Sequence, residues 1–233
     1  MPKRDAQTKR RSTSSGRRLG RPPATDGAET RRRLLEIALG EFAEQGYSDA
    51  TLKAIAVKAG LTTGAVYHYF PSKVDLFLAV GEMSIDEFTS TLDEQAEGAK
   101  TFVEQLYAAL EGIAILNARL PDMAPFLSNL ETESRRYPEL RDIHDRLVQQ
   151  RDAYYRKIVM DAVDRGEITK QLDPQAVIDL VEAFRLGMAR FSAQTRSIAR
   201  HRALITAFEF LLDGDLIVRT GPGRSRARRA RAF

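Results

Sequence analysis

The sequence predicts an all-α protein of about nine helices, and three features of the pattern carry that prediction. Apolar residues recur at spacings of three and four almost throughout, with no sustained alternation of the kind a half-buried strand shows. Glycines and prolines fall between the apolar stretches, where they end helices or open them. Thr51, Thr62, Ser72 and Asp173 stand just ahead of stretches that they can cap. With 43% apolar residues over 233 positions, the chain can bury a large core.

The first helix is expected over about Glu29 to Gln45, with Leu34, Ile37, Ala38, Leu39 and Phe42 as its buried stripe and Gly46 as its end. Thr51 opens a short second helix carrying Leu52, Ile55, Ala56 and Ala59, which stops at Gly60. Thr62 opens a third that runs to Tyr69, and Pro71 forbids its simple continuation. Ser72 caps a long fourth helix with Leu76, Phe77, Val80, Ile85, Phe88 and Leu92, ending near Gly98. A fifth covers about Thr101 to Arg119. Pro121, Pro125 and Pro138 confine the sixth to a short piece around Phe126 to Glu133, and Pro138 is placed to be the first residue of a seventh that reaches Gly166. Asp173 and Pro174 open the eighth, and the ninth spans roughly Ile198 to Leu212 before Gly214.

Charge is unevenly spread. Residues 1–33 hold eleven Lys and Arg against three acids, residues 219–233 hold six Arg and no acid, and the body between them carries a net charge of −10. Basic ends of this kind suit a polyanion, because they release counterions from nucleic acid, whereas the acidic body is repelled by it. The expected organisation is a disordered basic arm at 1–28, a DNA-binding domain at 29–75, a helical domain at 76–218 and a basic disordered tail at 219–233. The chain has no cysteine, which excludes disulfides, thiolate metal sites and cysteine nucleophiles. No apolar run approaches the ~18 residues of a membrane span, and the basic, polar opening lacks the apolar stretch of a signal peptide, so a soluble, cytoplasmic protein is expected.

From Thr51 to Phe70 a capped short helix, a turn through Gly60-Leu61-Thr62 and a second short helix follow one another, as a helix-turn-helix requires. The second helix has the length to lie in a major groove. Its Thr62, Thr63, Tyr67 and His68 can bond phosphates or base edges, and the small Gly64 and Ala65 let the backbone approach phosphate closely. Val66, Phe70, Ile55, Phe42 and Leu61 are expected to hold the three helices together.

These residues carry a resemblance. Thr51-Leu52-Lys53-Ala54-Ile55-Ala56, then Ala59-Gly60-Leu61, then Gly64-Ala65-Val66-Tyr67-His68-Tyr69-Phe70-Pro71-Ser72-Lys73 resembles the DNA-binding domain of tetracycline-repressor-type (TetR family) regulators, over about residues 29–80. The resemblance implies an N-terminal three-helix helix-turn-helix domain and a C-terminal helical domain for ligand binding and dimerisation. It also implies a homodimer on double-stranded DNA at a palindromic operator, and repression relieved by a small-molecule effector. Thr51, Thr62, Thr63, Gly64, Tyr67, His68 and Lys73 occupy positions similar to that family's DNA contacts.

Residues 34–75 alone carry −2, so affinity has to lean on the arm, with Arg31, Arg32 and Arg33 at the first helix and Arg21 farther out. Gly20-Arg21-Pro22, behind Arg17 and Arg18, resembles the core of a minor-groove AT-hook, although Leu19 stands where such a hook has arginine. In the C-terminal domain, Phe88, Tyr107, Phe126, Tyr154 and Phe184 are candidates to line an effector cavity, and Asn117, Asn129, His144, Gln150 and Arg185 are polar residues that interrupt the apolar stripes there. Leu180, Phe184, Met188, Leu204, Phe208 and Leu211 exceed what one side of a monomer core needs and point to a dimer interface through helices eight and nine. The alternative is an architectural, sequence-tolerant DNA binder working through its basic tails. An enzyme is disfavoured and no cofactor is expected: there is no glycine-rich phosphate loop or nucleophile elbow, and His68, His144 and His201 lie far apart.

Overall fold

The structure is a computed structural model, and it describes residues 24–195, 197–214 and 216. Helix α1 (Ala24–Asp49) begins earlier than the apolar stripe suggests, and its exposed first turns are supported by ion pairs from Arg32 to Glu29 and Glu36. Gly46, with a left-handed φ of 75°, interrupts α1 where the sequence predicts its end. Helices α2 (Leu52–Ala59) and α3 (Thr63–Tyr69) follow, and Thr51 and Thr62 accept from the N–H groups of Ala54 and Ala65, both at 3.1 Å. Between them Gly60 is left-handed at φ 68°, while its N–H reaches Val57 O and the N–H of Leu61 reaches Ala56 O. This closes the carbonyl end of α2 and aims the chain into α3.

Helix α4 (Lys73–Ala96) is capped by Ser72, and α5 (Phe102–Arg119) opens with a reciprocal Thr101 and Glu104 capping box. Helix α6 (Met123–Arg136) is longer than the prolines suggest. Pro125 sits in its first turn, where the missing N–H costs no intrahelical bond. Pro138 opens a 3-10 turn, Pro138–Leu140, and not the seventh helix itself: α7 runs Arg141–Asp164. Helix α8 (Pro174–Thr195) has the expected cap, Asp173 accepting from Gln175 N–H at 3.0 Å, and α9 (Ile198–Asp213) ends at Gly214. Among the described residues the chain is helical throughout its regular structure, and no helix is long and apolar enough to cross a membrane.

Two cores organise these helices. The first gathers Leu34, Leu39 and Phe42 of α1, Ile55 of α2, Val66 of α3 and Phe77 of α4 with Phe126 and Leu130 of α6. The rings of Phe42, Phe77 and Phe126 form its centre, at 4.8 and 5.1 Å between successive centroids. The second joins Leu92, Leu106 and Leu110 to Tyr155, Ile158 and Val159 of α7, Val181 and Met188 of α8 and Ile205 of α9. Phe88 packs against both. Helix α4 therefore runs from one core into the other, and it passes α7 so closely at Gly81 that an added Cβ would lie 2.3 Å from Ile143 Cγ1.

Candidate functional site

Helix α3 is fastened by residues one helical turn apart. Val66 and Phe70 are buried in the first core, which leaves Gly64, Tyr67 and His68 facing outward on a helix of 7 residues, with Tyr67 51% exposed. His68 rests edge-on against Tyr69, while Thr63 is half-buried. The cap bonds of Thr51 and Thr62 use only a lone pair of each hydroxyl, so each exposed Oγ1–H can still donate to a phosphate. Added at Gly64, a Cβ would meet nothing closer than 3.9 Å, so within the chain an alanine would fit there.

The positive charges of this region are disposed differently from expectation. Lys73 Nζ donates to Tyr47 O, Ser48 O and Ala50 O at 2.7, 2.9 and 3.2 Å and lies 4.7 Å from the Tyr47 ring centroid. An ammonium has three donors, and all three are taken. The phosphate contact expected of Lys73 is therefore corrected to a structural role: it closes the carbonyl end of α1 against the start of α4. Lys58 is likewise engaged, at 2.6 Å from the buried Glu41 and 3.5 Å from Glu44, and the pairing with Glu41 holds its pKa up. Lys53, by contrast, is exposed on α2 and has no ion pair among the described residues. Sequence reasoning passed over it, because the three lysines look alike until α1 is folded against α2.

Arg31, Arg32 and Arg33 are exposed but belong to α1, not to an arm. Arg31 lies over the Phe70 ring at 5.2 Å, next to the end of α3. Arg32 is paired with Glu29 and Glu36, and only Arg33 of the three shows no such partner among the described residues. Arg21 and the Gly-Arg-Pro segment lie outside the described residues, as does the basic tail. Beside Arg31 and Arg32 an open cleft of about 640 Å³ runs between α1 and α4, floored by Leu35, Leu78, Ala79 and Met83.

None of the residues proposed for an effector cavity lines that cleft, and the structure separates them. Phe126 belongs to the first core, and Asn129 donates to Phe42 O and Ala43 O at 3.2 and 2.9 Å, tying α6 to the last turn of α1 before Gly46. Both are thus corrected from cavity lining to the junction between the head, α1 to α3, and the helical body that follows it, α4 to α9. Gln150 is exposed, Asn117 is half-buried on α5, and His144 pairs its Nδ1 with the neighbouring Asp145 at 3.0 Å. The rest converge on the second core: Phe88 and Tyr154 meet edge to face, Tyr107 packs beside them, and Phe184 stacks on Phe208 with centroids 3.7 Å apart. Arg185 is buried on α8 and forks onto Glu182 at 2.8 and 2.5 Å.

Tyr155 of α7 also belongs to the second core. It is 1% exposed, and its hydroxyl has no hydrogen-bond partner among the described residues. Burial pushes its phenol far above the ordinary range, and the adjacent Tyr154 is pushed up to about 12 by burial with Asp93 adding to it. Burial also works to raise the Glu182 carboxyl, but hydrogen bonds and charge from Arg185, with Arg151 beyond, hold it below its usual value. The buried His201 of α9 is held below the usual imidazole range by the same loss of water.

Comparison with known proteins agrees with this geometry. Residues 34–80 match the family described as bacterial regulatory proteins, tetR family, and residues 99–207 match a tetracyclin repressor-like C-terminal domain. The HTH-type transcriptional regulator SrpR of Pseudomonas putida is 32% identical over 176 residues, covering 73% of this chain and 78% of that protein. Among solved structures, a TetR transcriptional regulator from Chloroflexus aurantiacus superposes with a TM-score of 0.67 at 24% identity, covering 81% of this chain and 96% of that one. The regulator FadR from Bacillus subtilis, solved in complex with stearoyl-CoA, superposes with a TM-score of 0.65 at 20% identity, covering 78% and 98%.

Proposed function

This chain belongs to the tetR family of bacterial regulatory proteins, and we propose that it acts as a homodimeric repressor, released from a palindromic operator by a small, largely apolar effector. The observation that carries the reading is the division of labour along α3. Val66 and Phe70 lock the helix onto the core while Gly64, Tyr67 and His68 are left to face a groove. Thr51, Thr62 and Lys53 flank that face with donors for phosphate, and Arg31 and Arg33 extend it along α1.

Dimerisation through α8 and α9 is supported by their exposed apolar residues, Leu180 and Leu186 on one and Phe210 and Leu211 on the other. The pair Phe184 and Phe208, expected in the interface, is spent within the chain on stacking, and Met188 is buried, so a partner would meet the outer residues. A twofold dimer presents two copies of α3, which suits half-sites about one helical turn apart. Asn129 supports a route for release. It bonds α6 of the body directly to α1 of the head, so a shift of α6 moves the helices that seat α3. The stearoyl-CoA held by the Bacillus subtilis regulator supports a ligand site in a body of this fold.

A footprint on DNA from around the chain's own gene tests the proposal. A discrete protected palindrome is expected, and uniform coating would instead favour the sequence-tolerant architectural binder. Tyr67→Ala should weaken operator binding with melting temperature unchanged, whereas Lys73→Ala should lower both together.

A further inference from the structure

The second core contains a polar seat. Tyr155 of α7 keeps its hydroxyl in the interior without a partner among the described residues, one helical turn from Arg151, and Arg185 of α8 pairs with the same Glu182 that Arg151 approaches. Arg185 is itself 8% exposed, and its fork onto Glu182 uses two of the five N–H donors that a guanidinium carries. Arg151 of α7 closes the group from the solvent side, 3.5 Å from Glu182 and paired outward with the half-exposed Asp152. Burying a hydroxyl without a partner is costly, so a phenol left in this state is waiting for an acceptor.

The chemistry of that acceptor follows from the charges. Arg185 forks onto both oxygens of Glu182, Arg151 approaches the same carboxylate and pairs with Asp152, and the Tyr155 O–H is the donor of the group left without an acceptor among the described residues. A cationic ligand would have to compete with Arg185 and Arg151 for the Glu182 carboxylate. A carboxylate would find a hydroxyl donor and uncommitted guanidinium N–H groups, the strongest donors for such a group. From the phenol an aromatic row leads into the core, Tyr155 to Tyr154 at 5.5 Å and Tyr154 to Phe88 at 6.2 Å, edge to face.

We propose that Tyr155, Arg185 and Arg151 form the seat for an anionic head group, so that the effector is an apolar molecule ending in a carboxylate, its body lying along Tyr154 and Phe88. This rests on the ligand-responsive reading above and narrows it from an apolar effector to an apolar acid.

Isothermal calorimetry on the full chain with decanoate and naphthoate, each beside its own primary amide, tests the seat without requiring DNA. At least one acid should bind tenfold or more tightly than its amide. Tyr155→Phe should weaken that acid on the order of tenfold to a hundredfold, the worth of a hydrogen bond to a charged group, and leave the amide as it was. Because Arg185→Gln alone strands a carboxylate, the paired change Arg185→Gln with Glu182→Gln is the second variant, and in it acid and amide should bind alike. The proposal is overturned if neither acid binds, if the amide matches the acid in the unaltered protein, or if Tyr155→Phe keeps the preference. The same acids are then added to the protein on its footprinted operator. Acid binding that leaves the footprint intact supports the seat and counts only against regulated release, and a protein that makes no footprint at all fails the repressor reading while the calorimetry still decides the seat.

Discussion

Around Phe77 the core that carries α3 is packed ring against ring, with Glu41 holding Lys58 and Ser84 donating to Val80 O. Around Tyr155, between α7 and α8, carbon encloses a phenol without a partner and the fork of a buried arginine onto Glu182. The first arrangement fixes one geometry, since close packing tolerates no displacement of one ring without the others. In the second, the lowest-energy state of the polar groups depends on what sits beside them. A reading helix needs the former and an effector domain the latter, and α4, which enters both cores, joins them.

The widest separation between the two cores should appear on cutting each central ring. Phe77→Ala removes the middle of the aromatic row and should cost about 3–5 kcal/mol, enough to unfold much of the head and abolish operator binding. Tyr155→Phe removes an orphaned hydroxyl and keeps the ring, so stability should stay level or rise by up to about 2 kcal/mol. Thermal melts of both variants check this, and a strongly destabilised Tyr155→Phe would mean that the hydroxyl is already served.

Next in size is the effect on assembly, which resides only in the body. Leu180→Glu combined with Leu211→Glu places charge on residues that are 66% and 51% exposed in the single chain, so each protomer should fold as before. Buried in an interface, those charges should cost at least about 3 kcal/mol, a hundredfold in dimer dissociation. Sedimentation should show monomers at concentrations where the parent is dimeric, and an intact dimer would move the interface elsewhere.

Smaller again is a contrast between two helical glycines. Gly81→Ala drives a methyl to 2.3 Å from Ile143 Cγ1 and should destabilise by about 1–3 kcal/mol, the usual cost of overpacking. Gly64→Ala has room within the chain, so it should gain about 0.5–1 kcal/mol from helix propensity while weakening operator binding, because its methyl would project from the face proposed to meet DNA. Chemical denaturation and a binding titration on the same two variants separate the effects. Operator affinity unchanged in Gly64→Ala would place the backbone of α3 farther from the phosphates.

The parts of this design that were legible in the sequence are those set by near neighbours. Caps at Thr51, Thr62, Ser72 and Asp173 act within two or three residues, and the spacing of Val66 and Phe70 against Tyr67 is one turn of helix. What could not be read depends on distant chain. Lys73 is captured by carbonyls 23 to 26 residues away, Asn129 by carbonyls 86 and 87 residues away, and Phe184 is turned inward by Phe208. The apolar stripe marked Arg185 as an interruption, but it could not show that Glu182 would be shared with Arg151 of the neighbouring α7.

The smallest expected effect is a pH dependence confined to the body. His201 lies on α9, 3% exposed, and burial holds its pKa below the free value of 6.5. The folded state therefore prefers the neutral ring, and protonation favours the unfolded chain. The stabilisation that follows is fully present above pH 6.5 and is lost as pH falls through the lower, folded value. In the head His68 is exposed on α3, so its ring is not shut away from water as that of His201 is. His201→Phe fills similar volume with a ring that cannot titrate. Melting curves of the parent and this variant should run parallel above neutrality and diverge below about pH 6, the parent falling by a few degrees more, since one kcal/mol moves a chain of this size by about 2–4 °C. Curves that stay parallel to pH 5 would mean that His201 accepts its proton inside the fold.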